Sequence, residues 1–398
     1  MQITASLLDF KFILLLLGLS LLRPLWPRSQ YALLLALGSA LIVGLAAPRT
    51  LAVISAITLL YLYPLHRIMR AAVARGRSES VSRLWLPLGM GGLVAALVVF
   101  KCYRHFTVPW LDVPRLGPEA LALIGFSYFI LRAMGFLHIQ TILNVDQHSP
   151  WELLGFTLFP PTLTSGPIQK FQDFHQQVLN PEPLSRPLVF TAVYRITRGY
   201  FRKTILALLL NKAVETLLAV HQPSVYLSAL TVATLYLYFY FDFAGYSDIA
   251  IGFGLLLGIR VPENFRKPFL ATTASEFWRN WHITLVDWFR DQVFIPLGGM
   301  GKSRFWAASL AFFIMVLCGL WHGLTFSFLA WGTWHGLILF TEAISGAKPV
   351  PPPLRRGIKY WARVLWTNAR IAFGGLFFLP PDTTLRLLGG LAKWRVNY

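Results

Sequence analysis

The chain has 398 residues, of which 56 % are hydrophobic and only 13 % charged, and its mean hydropathy is +0.56. A soluble domain usually carries about 25 % charge, so an ordinary soluble, disordered or collagen-like protein is excluded and a polytopic membrane protein is left. Lys and Arg number 36 against 17 Asp and Glu, a net charge of +19. These cations lie between apolar runs, where positive-inside bias accounts for them without a nucleic-acid partner.

Apolar stretches that reach or approach spanning length are 6–22, 31–47, 50–65, 85–101, 118–138, 152–164, 188–220, 225–243, 247–260, 305–320, 323–345 and 360–380. They predict an all-α bundle with roughly nine to eleven crossings, each needing roughly 20 apolar residues. The pieces 152–164 and 247–260 are short and are expected to be re-entrant, surrounded by protein. The first run, Phe12 to Leu22, is followed by Arg23 and Pro24 without a clean small-residue cleavage site, so it reads as a retained first segment. Cys102 and Cys318 both sit in apolar sequence, and two cysteines alone cannot fill a structural zinc site.

Three basic stretches are expected on the cytoplasmic side. One holds His66, Arg67, Arg70, Arg75, Arg77 and Arg83 against Glu79; the next holds Arg195, Arg198, Arg202 and Lys203. The third runs from Lys348 through Pro349, Pro351–Pro353, Arg355, Arg356, Lys359 and Arg363 to Arg370. Such loops also attract anionic lipid headgroups or an acidic protein. The chain is expected to organise as N-terminal membrane helices over 1–150, a core over 151–345 and a basic loop with a last membrane helix over 346–398, integrated in one membrane domain.

From Asp242 to Gly299 the sequence is too polar for lipid and too aromatic for a plain loop. Asp242 and Asp248 flank Gly245, a potential helix break; acids at such depth either pair with cations or line a polar cavity. Thr273-Ala-Ser-Glu276 is a capping-box pattern, expected to open an interfacial helix that runs to about Asp291. On it Phe277, Trp281 and Trp288 recur at helical spacing, and His282 shares a face with Trp278 and Phe289. Local sequence alone makes His282 a structural hydrogen bonder at least as readily as a reactive group.

Further on, His322 and His335 each follow Trp and precede Gly, and no charged residue occurs between Arg304 and Glu342. A buried imidazole there is a candidate for proton transfer; the alternatives are a satisfied core histidine or a haem or metal ligand. No HExxH spacing supports a metal site. Along one continuous helix thirteen residues rise roughly 20 Å, so only one of these two histidines is expected at the reacting bond, with His282 able to meet His322 from another element.

The ordered set FDFAGYSDIAIG, VPENFRKPF (with Asn264), EFWRNWHITLVDWFRD, IPLGG, LWHG and WGTWHG resembles the membrane-bound O-acyltransferase family. That resemblance covers about 159–342 and implies a membrane bundle with re-entrant and interfacial helices around a central tunnel. It implies acyl transfer to a hydroxyl, with His322 as principal catalytic histidine, His282 as the second and His335 as a third, supporting one. His322 would deprotonate the acceptor, which attacks a thioester or related ester, while His282 orients the acceptor or stabilises the oxyanion; those roles are interchangeable at this level. Trp278, Trp281, Trp321, Asp242, Asp248 and Asn264 are expected around the tunnel. Arg290, Lys302 and Arg304 would dock an acidic donor or anchor the cytoplasmic face.

Two bacterial branches compete. FWRNWHITLVDWFRDQVFIPLGG is similar to polysaccharide O-acetylation proteins, whereas PTLTSGPIQKF (Pro161 to Phe171) is similar to D-alanyl-transfer proteins of teichoic acid synthesis. The resemblance implies no permanently bound cofactor, a donor such as acetyl-CoA or an acyl carrier protein thioester, and a glycan acceptor or periplasmic partner acyltransferase. Membrane lipids and a multi-pass place in the bacterial inner membrane follow from it as well. A transporter is the reading from another class, since intramembrane acids and broken helices suit it.

Overall fold

A computed structural model describes residues 10–105, 123–138, 148–350 and 357–392. The start of the 6–22 segment, residues 118–122, and Pro351–Pro353 with Arg355 and Arg356 lie outside the described residues. Within these bounds the chain is helical, with one isolated antiparallel bridge, Phe265 to Trp281, and no strand among the described residues. Four described helices are long and apolar enough to cross a membrane: Pro48–Ala74, Arg83–Cys102, Val225–Leu256 and Arg304–His322. Phe12–Leu25, Tyr31–Ala46 and Phe126–Phe136 are apolar but shorter.

The chain divides into two compact units, Met1–Thr197 with Asp248–Pro262, and Arg198–Ser247 with Glu263–Tyr398. In the first unit, α1 (Phe10–Leu22), α2 (Tyr31–Ala46), α3 (Pro48–Ala56) and α4 (Phe126–Phe136) precede two short helices, α5 (Pro150–Thr157) and α6 (Pro160–Leu163). Pro150 at the first helical position and Ser149 as N-cap, accepting from Glu152 N–H at 3.1 Å, start α5. Its core is aromatic: Phe129, Phe136, Phe156, Phe171 and Phe174 are buried. Buried Arg132 donates to Thr162 Oγ1 at 2.9 Å and to the Phe156 carbonyl, so both terminal nitrogens of the guanidinium inside α4 find acceptors nearby.

Two expectations about acids and glycine change. Helix α7 (Arg186–Tyr200) continues through a π-helical turn, Phe201–Leu206, into α8 (Ala207–Leu218). The 195–203 cations are therefore helical, not a loop. Asp248 pairs with Arg195 at 2.5 Å, and Asp242 with Lys203 at 2.5 Å. Helix α9 (Val225–Leu256) runs straight through Gly245, Gly252 and Gly254, so no break occurs at Gly245 and 247–260 is no separate re-entrant piece. The missing side chain serves contact: a Cβ on Gly245 would lie 2.8 Å from the Gly199 carbonyl and 2.9 Å from Lys203 N. Glycine lets two helix backbones touch and brings Lys203 beside Asp242.

The second unit carries α10 (Ala274–Trp278), α11 (Ile283–Phe289), α12 (Arg304–His322), α13 (Phe326–Ser345), α14 (Ile358–Gly374) and α15 (Pro381–Ala392). Helices α12 and α13 form a hairpin joined over Gly323–Thr325, with Ser303 and Thr325 as N-caps. Glycines pave its seam: a Cβ on Gly319 would meet the Phe328 carbonyl at 2.2 Å, and one on Gly332 the Met315 carbonyl at 2.5 Å. His322 ends α12 while His335 lies inside α13, so the continuous helix assumed for their separation does not exist.

Candidate active site

The Thr273 cap forms as its pattern predicts: Thr273 Oγ1 accepts from Glu276 N–H at 3.1 Å. Glu276 then reaches back to Thr272, accepting from its N–H at 2.7 Å and its hydroxyl at 2.9 Å. The helix nevertheless ends at Trp278 rather than near Asp291. Residues Arg279–His282 turn out of it, and His282 adopts φ +48, the left-handed region that bulky residues rarely occupy.

Asn264 explains the break. It is fully buried, and its carbonyl oxygen Oδ1 accepts from Thr284 N–H at 3.3 Å and Thr284 Oγ1 at 2.9 Å. His282 Nδ1 lies 3.1 Å from the same oxygen. The Asn264 backbone oxygen accepts from Ile283 N–H at 3.0 Å, and Arg266 N–H donates to the Asn280 carbonyl at 3.0 Å. A segment eighteen residues away in sequence thus supplies acceptors that a continuous helix would have supplied itself. Because Oδ1 can only accept, this network assigns the proton of His282 to Nδ1 and leaves Nε2 with a lone pair. His282 lies outside the spanning helices. Burial first, and neighbouring His322 second, hold its imidazole well below the ordinary range, so it is neutral.

His282, His322 and His335 all line one cavity of about 1130 Å³ within the second unit. Trp278, Trp281, Trp331, Phe243 and Phe378 contribute to its wall. Trp331 links the histidines: its ring centroid is 5.4 Å from that of His322 and 4.8 Å from that of His335. Trp278 stands edge-on to His335 at 5.1 Å, and Phe243 edge-on to His282 at 4.6 Å. His335 is 1 % exposed, and its Nδ1 has no hydrogen-bond partner among the described residues.

The remaining sequence candidates divide. Asp242, Trp278, Trp281 and Arg290 line the cavity, and Asn264 stands behind His282. Trp321 and Asp248 are not in the lining: Trp321 packs its ring 4.9 Å from His322, and Asp248 belongs to the first unit with Arg195. Lys302 and Arg304 do not line it either. The Lys302 ammonium sits 4.6 Å over the Trp306 ring, and Arg304 Nε donates to the Ala343 carbonyl at 2.5 Å. Arg290 is held by Asp287 at 2.6 Å and Asp291 at 2.9 Å. No group of three or more His, Cys, Asp or Glu able to hold a metal exists among the described residues.

Sequence reasoning passed over Glu342, the lone acid of α13. It is buried and lines the cavity, accepting from Ala274 N–H at 3.0 Å and Ser275 N–H at 3.2 Å while pairing with Arg370 at 2.7 Å. It fastens the first turn of α10 to the helix that carries His335. An acid inside an apolar run was the signal available. Trp331 was also missed, although it stands one turn before His335.

Comparison with known proteins places this geometry. Residues 138–348 match the family model described as MBOAT, membrane-bound O-acyltransferase family. The chain is 33 % identical over 294 residues to "Probable alginate O-acetylase AlgI" of Pseudomonas putida, covering 71 % of this chain and 60 % of that protein. It is 32 % identical over 294 residues to the protein of the same name from Pseudomonas aeruginosa, with 71 % and 56 % covered. It is also 33 % identical over 268 residues to "Teichoic acid D-alanyltransferase" of Streptococcus thermophilus, with 63 % and 64 % covered. The chain therefore spans less than two thirds of the length of each of these curated relatives.

Proposed function

Because the chain belongs to the membrane-bound O-acyltransferase family, we propose that it moves a short acyl group, acetyl in the first instance, from an activated cytoplasmic donor to a hydroxyl of an extracytoplasmic glycan. The observation that carries this reading is the placing of His282 and His322 on one cavity, with His282 Nδ1 fixed by Asn264.

His322 takes the acceptor's proton as the acceptor oxygen attacks the thioester carbonyl. The new C–O bond forms, the C–S bond breaks, and the leaving thiolate takes the proton back from the imidazolium. His282 presents its Nε2 lone pair to a neighbouring hydroxyl of the acceptor and so aligns the oxygen that His322 deprotonates. A neutral imidazole with Nδ1–H committed to Asn264 has no donor left for an oxyanion, which favours the orienting role over the stabilising one. The donor is acetyl-CoA or a carrier-protein thioester, bound only in passing. The acceptor is the glycan itself or a periplasmic acyltransferase that passes the group on, and the protein works as a multi-pass protein of the bacterial inner membrane.

The test is acyl transfer from labelled acetyl thioester by purified protein. His322→Ala is expected to abolish transfer while leaving detergent stability near wild type; most activity remaining would remove His322 from the reaction. D-alanyl transfer is the second reading, favoured by the match to the Streptococcus thermophilus protein. Turnover with a D-alanyl carrier thioester and none with acetyl donors would select it.

A further inference from the structure

The acids that line the cavity all have hydrogen-bond or ion-pair partners. Asp242 is neutralised by Lys203, Glu342 by Arg370 and two helix N–H groups, and Asp287 by Arg290. Glu276 is taken up by Thr272. Arg266 and Arg279 also line the cavity, both are exposed, and neither guanidinium has an acidic partner among the described residues. The backbone holds them close together. Arg266 N–H donates to the Asn280 carbonyl, and Phe265 bridges Trp281, so the segment of Arg266 runs antiparallel beside that of Arg279. Lys267 at φ +50 and His282 at φ +48 lie on the two sides of this pairing and mark a backbone held in one sharply defined form.

Two unpaired guanidinium groups at neighbouring positions repel each other, and an oxyanion between them removes the repulsion. Planar donor forks of this kind match phosphate oxygens bidentately. A coenzyme A or carrier-protein thioester carries a phosphate at the end of its pantetheine arm away from the sulfur. Resting on the acyl-transfer reading above, we propose that Arg266 and Arg279 form a phosphate-recognition pair on the cavity wall, which fixes the donor's pantetheine phosphate while the thioester lies at the histidines. This moves donor recognition from Arg290, Lys302 and Arg304, whose charges are engaged elsewhere, to the hairpin that presents His282 itself.

The experiment reads binding without turnover. Tryptophan fluorescence of the full chain in lipid-free detergent is titrated with 4′-phosphopantetheine and, separately, with pantetheine. Wild type is expected to prefer the phosphorylated arm by about tenfold or more, the contribution of charge-assisted hydrogen bonds. Arg266→Gln and Arg279→Gln each lose most of that preference, and the double variant loses all of it. Arg290→Gln keeps it, as does His322→Ala. Equal binding of both arms to wild type overturns the proposal, as does a preference that survives in the double variant. So does an equal loss in Arg290→Gln, which would reduce the effect to general positive potential.

A lipid headgroup carries the same phosphate chemistry. Displacement of 4′-phosphopantetheine by phosphatidylglycerol but not phosphatidylcholine in nanodiscs would assign the pair to lipid and overturn the donor assignment. The two readings fail separately. A phosphate preference without acyl transfer from any thioester sinks the proposed reaction alone, and transfer abolished in His322→Ala without a phosphate preference sinks the arginine pair alone.

Discussion

Replacing Asn264 by alanine should damage the site more than its single buried amide suggests. The substitution strands two donors that cannot turn elsewhere, Thr284 N–H and His282 Nδ1–H, while the Thr284 hydroxyl can rotate to another acceptor. A buried donor left unsatisfied costs about 1–3 kcal/mol. Two of them give about 2–6 kcal/mol, a large share of the ~5–15 kcal/mol that holds a typical fold. We expect Asn264→Ala to melt well below wild type in detergent and to lose acyl transfer. Thr284→Val, which removes only the hydroxyl, should cost about 1 kcal/mol. The double variant should be less damaged than the sum of the two, because both substitutions remove one shared bond. Asn264→Asp separates the electrostatic part. It keeps an acceptor for Nδ1–H and places a carboxylate beside the ring, which raises the His282 pKa. Below that raised pKa, Nε2 is protonated and cannot accept, so the acid limb of the rate profile should move to higher pH. The reasoning fails if Asn264→Ala melts and turns over like wild type.

Three further outcomes are expected. Gly319→Ala and Gly332→Ala should each destabilise by about 3 kcal/mol or more through overpacking against backbone carbonyls, whereas Gly301→Ala, with nothing within 4 Å, should melt like wild type. Glu342→Ala should cost about 1–3 kcal/mol by taking the acceptor from two helix N–H groups and from half-buried Arg370; Glu342→Gln, which keeps an oxygen for a helix N–H, should melt between it and wild type. A cysteine at position 302 should react with a membrane-impermeant thiol reagent only in permeabilised cells, and labelling of intact cells would refute the cytoplasmic assignment of the 290–304 stretch.

What the sequence revealed follows from how local each signal is. The Thr273 capping box concerns four consecutive residues, and it starts the helix as expected. Its end was illegible because the atoms that terminate it belong to Asn264, on another segment. Likewise the acids of α9 announced themselves by cost alone. Their partners Arg195 and Lys203 were visible as cations, but their helical placing depended on backbone contact at Gly245, which no local pattern encodes. The three histidines were legible as Trp-His pairs, His322 and His335 in apolar sequence and His282 in the polar, aromatic stretch before them. Their meeting was not, because it required α12 to stop at His322 and fold back, so that Trp331 touches both His322 and His335.

The irregular hairpin also clarifies why His282 is not simply carried on a helix. In a helix continuing from Thr273 its ring would lie over the preceding turn beside Trp278, and its own backbone N–H would be spent on an i−4 carbonyl. The left-handed turn costs about 1–3 kcal/mol. In return it leaves Nδ1 facing a fixed acceptor. Non-helical backbone within a membrane protein persists only where protein satisfies its polar groups, and here that satisfaction comes from side chains with no freedom of their own. Asn264 is fully buried, and Glu342 is locked by Arg370 and two backbone N–H groups. The strain and the rigid partners therefore belong together. Loosening either partner should free the histidine before it unfolds the helices around it.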